Sequence, residues 1–121
     1  MNRPNSAPVL ITVPSHAETT PRGAILGGWI MTQLDHAAGL AGRKIAAGDA
    51  LILSIKELIF RAPLHPGEKF AVYSDLTRRG GSSFNLSLSG WAEPDSGCRL
   101  IFEADVLLVA LDAEGKSRKL P

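Results

Sequence analysis

The chain has 121 residues and a mass of 12.9 kDa, the length of one domain. Its 13 Lys+Arg against 12 Asp+Glu leave a formal charge of +1, which argues against a dominant polyanion-binding surface and so against nucleic acid as a partner. Hydrophobic residues at 45% and charged residues at 21% exclude a disordered chain, and a single cysteine, Cys98, excludes both an intramolecular disulfide and a zinc site built on paired cysteines. The longest stretch without Asp, Glu, Lys or Arg is Pro4 to Ala17, 14 residues holding Pro8 and Pro14. A spanning helix needs about 20 apolar residues, and Val9 to Val13 is shorter than a signal-peptide core of roughly 7–15 residues. The expectation is a soluble, cytoplasmic protein without membrane association.

Val9 to Val13 reads as a short strand stopped by Pro14, and His16 to Gly23 as a polar, turn-rich segment. Ile25 to Gly42 is the one long helix, with Leu26, Ile30, Leu34, Ala37 and Ala41 recurring every three to four residues. Gly42 followed by Arg43 and Lys44 suits a helix end, with positive charge at the negative end of the dipole. Ala50 to Arg61 is rich in Leu, Ile and Phe and is closed by Pro63 and Pro66-Gly67. Lys69 to Thr77 alternates, as does Ser83 to Trp91, where Phe84, Leu86, Leu88 and Gly90 share one face and Asn85, Ser87 and Ser89 the other. Leu100 to Leu111 is a β-type run ending at the turn Asp112-Ala113-Glu114-Gly115. Short connections between the last four strands imply antiparallel neighbours. The chain is thus an α+β single domain, 1–121, one antiparallel sheet curled around one helix. About seven residues at the start and about six at the end read as peripheral. Trp29, Tyr73, Phe84 and Trp91 read as core.

The helix carries the functional argument. Ile25 to Gly42 holds one formal charge, Asp35, where an ordinary surface helix shows Lys and Glu on its outer face. At 100° per residue, Gly28, Thr32, Asp35 and Gly39 fall within about 60° of one another, opposite the Leu26, Ile30, Ala37 and Ala41 stripe. Small residues on that face permit close approach of a partner chain or a thin ligand. Gly27-Gly28 lies in the first turn, where free N–H groups form an oxyanion site and missing side chains let a carbonyl reach them. Asp35 stands about 10 Å further along the axis. One polarised carbonyl and its attacking water cannot touch both groups on one helix. They can if two helices run antiparallel across a dimer axis, so the pattern points to a site shared by two copies.

Taken alone, a helical aspartate is more often capped or paired than catalytic, and Gly-Gly at a helix start is often plain packing. His16, His36 and His65 have no metal-ligand spacing, and no G-x-S-x-G motif occurs. Cys98, after Pro94-Asp95-Ser96-Gly97, sits in an apparent hairpin turn.

Gly23-Ala24-Ile25-Leu26-Gly27-Gly28-Trp29-Ile30-Met31-Thr32-Gln33-Leu34-Asp35 resembles the G-x-I-F-G-G-W-L-M-S-Q-M-D signature of hotdog-fold acyl-CoA thioesterases of the YciA-like branch. Phe60-Arg61-Ala62-Pro63 with Pro66-Gly67-Glu68 is similar to that family's F-x-x-P…x-G-D. Arg78-Arg79-Gly80-Gly81-Ser82-Ser83 before Trp91 is similar to its K-T-G-R-T-S…W, and Val109-Ala110-Leu111-Asp112-Ala113-Glu114-Gly115-Lys116 to its V-A-x-D-x-x-G-K-P close. The blocks follow family order from about residue 14 onward.

The resemblance implies a hotdog fold with two protomers per double hotdog, often in trimers of dimers. It also implies hydrolysis of acyl-CoA to free acid and CoA without metal or separate cofactor, CoA being part of the substrate. Carried over, Asp35 activates water or attacks the thioester, and the partner's Gly27-Gly28 region polarises the carbonyl. The turn of Arg78, Arg79, Gly80, Ser82 and Ser83 would hold the CoA phosphates or pantetheine arm. Three positions depart from the family pattern: Thr20 stands where Asn is common, Gly81 replaces the Arg of G-R-T-S, and Leu26 replaces Phe. Thr20 can still hydrogen-bond substrate or water. These departures keep open a non-catalytic acyl-CoA or acyl-ligand binding module. A hotdog hydratase is disfavoured because its Asp/His pair would have to be Asp35 and His36, which point about 100° apart on a helix.

Overall fold

The computed structural model describes residues 2–121. In chain order they form β1 (Leu10–Thr12), a 3-10 turn (His16–Glu18), α1 (Gly27–Ala46), β2 (Ala50–Phe60), β3 (Phe70–Arg79), β4 (Ser83–Ala92) and β5 (Arg99–Ala110). The strands make one open antiparallel sheet in the order β1-β3-β4-β5-β2, with β1 and β2 at its edges. This is the α+β arrangement expected from the patterning. Among the described residues no helix is long and apolar enough to cross a membrane.

Alternation decides which side chains meet α1. Phe70 and Val72 of β3, Phe84, Leu86 and Leu88 of β4, and Phe102, Val106 and Leu108 of β5 are buried in one cluster with Ile30, Leu34, Ala37 and Ala38 of the helix. Each large side chain fully buried this way contributes about 1.5–3 kcal/mol. Gly90 interrupts the alternation for a steric reason: a Cβ there would sit 2.7 Å from Phe70 Cζ and still closer to the Phe102 ring. Its absence admits the tilted Phe70–Phe102 pair, centroids 6.2 Å apart, and Trp29 also lies tilted beside Phe70, its ring centroid 5.9 Å from that of Phe70.

The helix differs from its sequence reading at both ends. It starts at Gly27, and Leu26 is the N-cap residue, 41% exposed and outside the buried stripe. It also continues past Gly42 to Ala46. Gly42 is not a terminator but a point of close approach, since a Cβ there would lie 2.8 Å from Leu108 Cδ2. The helix ends where Ala47 takes a left-handed conformation (φ 52°) and the Gly48 N–H bonds the Arg43 carbonyl at 3.2 Å. The Arg118 guanidinium donates to the Ala46 carbonyl at 2.8 Å.

Both chain ends, read as peripheral, dock on the sheet. Leu120 packs against the core, and its N–H donates to the Gly81 carbonyl at 2.8 Å. Arg3 donates to the Tyr73 hydroxyl at 3.1 Å. Tyr73 and Trp91 are core residues, as expected, but in a second cluster with Ala71 and Leu100 on the sheet face away from α1. Tyr73 donates in turn to Glu93, whose side chain is 6% exposed and pairs with Lys69 at 3.3 Å. Burial and then Glu93 raise the Tyr73 hydroxyl above its ordinary pKa.

Candidate active site

Helical periodicity puts Gly28, Thr32, Asp35 and Gly39 on the face of α1 that turns away from the sheet. The first three are exposed and Gly39 is half-buried, while Ile30, Leu34, Ala37 and Ala38 are buried beneath. Asp35 enters no hydrogen bond or ion pair among the described residues. Thr32 donates back to the Gly28 carbonyl at 3.0 Å. A Cβ added at Gly28 or at Gly39 would meet nothing within 4 Å, and one at Gly27 only the Phe60 ring at 3.8 Å. Packing within the chain therefore demands Gly42 but neither Gly28 nor Gly39.

The start of α1 has no side-chain cap, because Leu26 offers no acceptor. Intrahelical bonding begins with the Trp29 and Ile30 N–H groups, both donating to the Leu26 carbonyl at 3.1 and 3.3 Å. The Gly27 and Gly28 N–H groups have no acceptor among the described residues. The preceding loop is held rigidly against this end. Leu26 N–H donates to the Glu18 carbonyl and Ile25 N–H to the Leu64 carbonyl, each at 2.8 Å. Thr20 closes the same loop: its N–H donates to the Ala24 carbonyl at 2.8 Å, and its hydroxyl oxygen accepts the Arg22 N–H at 3.2 Å.

Asp35 lines a shallow pocket of about 470 Å³ with Leu10, His36, Gly39, Leu40 and Arg43. Sequence reasoning missed Arg43 and Leu10 as its walls. The spacing 35, 39, 43 was a signal for the first, since residues four apart stack on one helix face. The second needed the docking of β1 beside the helix. Asp35 and His36 share this pocket despite their angular separation. Among the described residues no group of three or more His, Cys, Asp and Glu could hold a metal ion.

The Arg78–Ser83 turn lies elsewhere. Arg78 pairs across the ladder with Asn85, which alternates with the buried Phe84 and Leu86 and so faces away from α1. The Arg78 guanidinium donates to Asn85 Oδ1 at 2.5 Å and to Ser83 Oγ at 2.9 Å. Arg79 donates to the Pro121 carbonyl. The Gly80 N–H donates to the Ser83 carbonyl at 2.7 Å, and the Ser82 carbonyl accepts the Ala110 N–H at 2.9 Å. Arg78 thus faces away from α1 and Asp35, whereas Arg79, paired across the ladder with the buried Phe84, lies on the helix side of the sheet.

Both the sequence and this open sheet wrapped on one helix have relatives. Residues 22–99 match the thioesterase superfamily. The chain belongs to the thioesterase superfamily. The acyl-CoA thioester hydrolase YciA of Salmonella typhimurium is 30% identical over 125 residues, covering 99% of this chain and 94% of the relative. A hexameric thioesterase from Yersinia pestis superposes with a TM-score of 0.91 at 32% identity, covering 98% of each chain. A hexameric hotdog fold thioesterase of Campylobacter jejuni superposes at 0.89 with 27% identity, covering 98% of this chain and 93% of the other. The architecture described above is the hotdog fold.

Proposed function

We propose that this thioesterase-superfamily protein hydrolyses acyl-CoA thioesters to the free acid and CoA, at a site built by two copies of the chain. One observation carries the reading. Asp35 and the Gly27-Gly28 N–H groups are all exposed and without partners among the described residues, yet they stand about 10 Å apart on one helix. Two antiparallel α1 helices would set one copy's Asp35 opposite the other's helix start. The 11-residue edge strand β2 suits such a pairing, because Leu51, Leu53 and Ile55 remain 45–55% exposed along it. The hexameric relatives from Yersinia and Campylobacter favour the same self-association.

In the proposed reaction the partner's Gly27 and Gly28 N–H groups donate to the thioester oxygen as it becomes an oxyanion. Asp35 takes a proton from the attacking water, or attacks the carbonyl carbon itself, and the C–S bond breaks to release the CoA thiolate, which is then protonated. Thr20, anchored beside the helix start, orients the carbonyl or the water through its hydroxyl. No separate cofactor or metal enters the scheme. The Arg78–Ser83 turn would contribute to CoA binding, with Arg78 reaching from the sheet face away from its own α1, toward a neighbouring subunit.

Replacing Asp35 tests the assignment. Asp35→Asn should lower turnover by about 10²–10⁴-fold, the usual worth of a general base, with an unchanged oligomer on size exclusion. Release of CoA by this variant at the normal rate, read with a thiol-reactive dye, rejects the role. Tight acyl-CoA binding by the unmutated protein without thiol release would instead identify a binding module.

A further inference from the structure

The Asp35 cavity holds a second titratable side chain that the scheme above does not use. His36 is exposed and lines the cavity with Asp35 and Arg43. It enters no hydrogen bond or ion pair among the described residues. The remaining walls are Leu10, which β1 contributes from beside the helix, and Gly39 and Leu40, and none of them titrates. One helical turn before His36 stands Thr32, also uncharged. Arg43 does not release its proton in a folded protein, and it shares an exposed contact of 3.2 Å with Asp49. With Asp35 as the base, His36 is the lining residue able to give up a proton near neutral pH, where imidazole ordinarily changes charge.

We propose that His36 is the general acid of the hydrolysis, protonating the sulfur as the C–S bond breaks. The proposal rests on the acyl-CoA hydrolase reading and adds the group that meets the leaving thiol. Adjacent helical positions point about 100° apart. That angle keeps two side chains from sharing one water, as a hydratase would need. Hydrolysis needs base and acid on different atoms of one tetrahedral carbon, the attacking oxygen and the departing sulfur. Two side chains that diverge from neighbouring positions into one cavity can straddle that carbon. Asp35 takes a proton from water as the C–O bond forms. The oxyanion then collapses, the C–S electron pair goes to sulfur, and sulfur takes the imidazolium proton. The neutral imidazole recovers a proton from the Asp35 carboxyl through water, which returns both groups to their starting state. If Asp35 attacks the carbonyl itself, the imidazole that has given up its proton becomes the base for the water that cleaves the acyl–Asp35 anhydride. An alkyl thiol has an ordinary pKa of about 8.5 or higher, so its free thiolate is an unfavourable product at neutral pH.

The test varies the leaving thiol. Acyl-pantetheine releases an alkyl thiolate, whereas the same acyl group on thiophenol releases an aryl thiolate that departs readily without a proton. His36→Gln and His36→Ala should each lower kcat for acyl-pantetheine about tenfold. This is less than the usual 10²–10⁴-fold worth of acid–base catalysis, because sulfur leaves more easily than nitrogen or oxygen. For the aryl thioester kcat should stay within about twofold, with unchanged assembly on size exclusion. Added imidazole should restore the alkyl rate of His36→Ala, where truncation leaves room for the ring, and should not restore Asp35→Asn. In the unmutated protein kcat for the alkyl thioester should fall at alkaline pH, and that for the aryl thioester should not. Equal losses on both thioesters would assign His36 a structural role, and no loss on either would make it a solvated surface group; each result overturns the proposal. Unmutated protein that hydrolyses neither thioester brings down the hydrolase reading and this assignment with it. Hydrolysis of both, with His36 variants indifferent to the thiol, brings down this assignment alone.

Discussion

Two inactive variants mixed together should make an active enzyme. Asp35→Asn removes the carboxylate, and Gly28→Val blocks approach to the helix start. The valine has room in its own chain, because a Cβ at Gly28 meets nothing within 4 Å, so the variant should fold, and size exclusion verifies that it still assembles. Each alone should lose hydrolysis by at least about 10²-fold. The separation of the two positions is what makes mixing informative. Seven residues at 1.5 Å each put them about 10 Å apart on one helix, whereas a reacting carbonyl must lie about 3 Å from both its N–H donors and the attacking group. One site must therefore draw Asp35 from one chain and Gly28 from another. In a mixed dimer, one of the two sites carries both lesions and the other carries neither. Random reassortment makes half the dimers mixed, so roughly a quarter of the unmutated activity should return. The assay is thiol release after co-refolding or co-expression of the two chains, with one of them tagged to verify exchange. Verified exchange with no regain of activity would refute the shared site and place the whole reaction within one chain.

Two further outcomes follow from packing and charge. Gly42→Ala should lower stability by about 1–2 kcal/mol, because the new methyl must displace the Leu108 side chain 2.8 Å away. Gly39→Ala enters open space and should not lower stability through the chain's own core; thermal melts of both variants check the contrast, and an unchanged melting temperature for Gly42→Ala would contradict the close approach. Glu68 tests pH dependence. Burial raises its carboxyl, but the Arg99 guanidinium, donating at 2.6 Å, and the His65 N–H at 2.8 Å outweigh this and hold it below the ordinary value of 4.5. A depressed carboxyl contributes stability that is fully present above the unfolded pKa and is lost as pH falls through the folded one. Denaturant midpoints should therefore drop below about pH 4.5 in the unmutated protein, and Glu68→Gln should flatten that part of the curve. An identical acid dependence in the variant would show that the Glu68–Arg99 pair does not report folding.

Much of this molecule was legible without coordinates, and local physics explains which part. Strand alternation at Ser83 to Trp91 and helical spacing at Ile30, Leu34 and Ala37 are set by backbone geometry, so the side chains facing the core could be named from period alone. The lone charge at Asp35 and the glycines beside it were visible for the same reason. The family motif from Gly23 to Asp35 added the fold and a chemistry to test. What the order of residues left open depends on contacts between distant segments. Gly42 looked like a helix stop, but Leu108, 66 positions later, makes it a packing glycine and lets the helix run to Ala46. The face that Arg78 occupies was also hidden: a change of register between Leu76 and Arg78 turns it to the far face of the sheet, toward Asn85. Lys44 looked like a dipole counter-charge, and only the docking of β1 and β3 beside the helix makes it the wall of a groove. Period and propensity act over a few residues and are written along the chain; close approach, register and the shape of a cleft arise between segments far apart in it, and exist only once the sheet has closed on the helix.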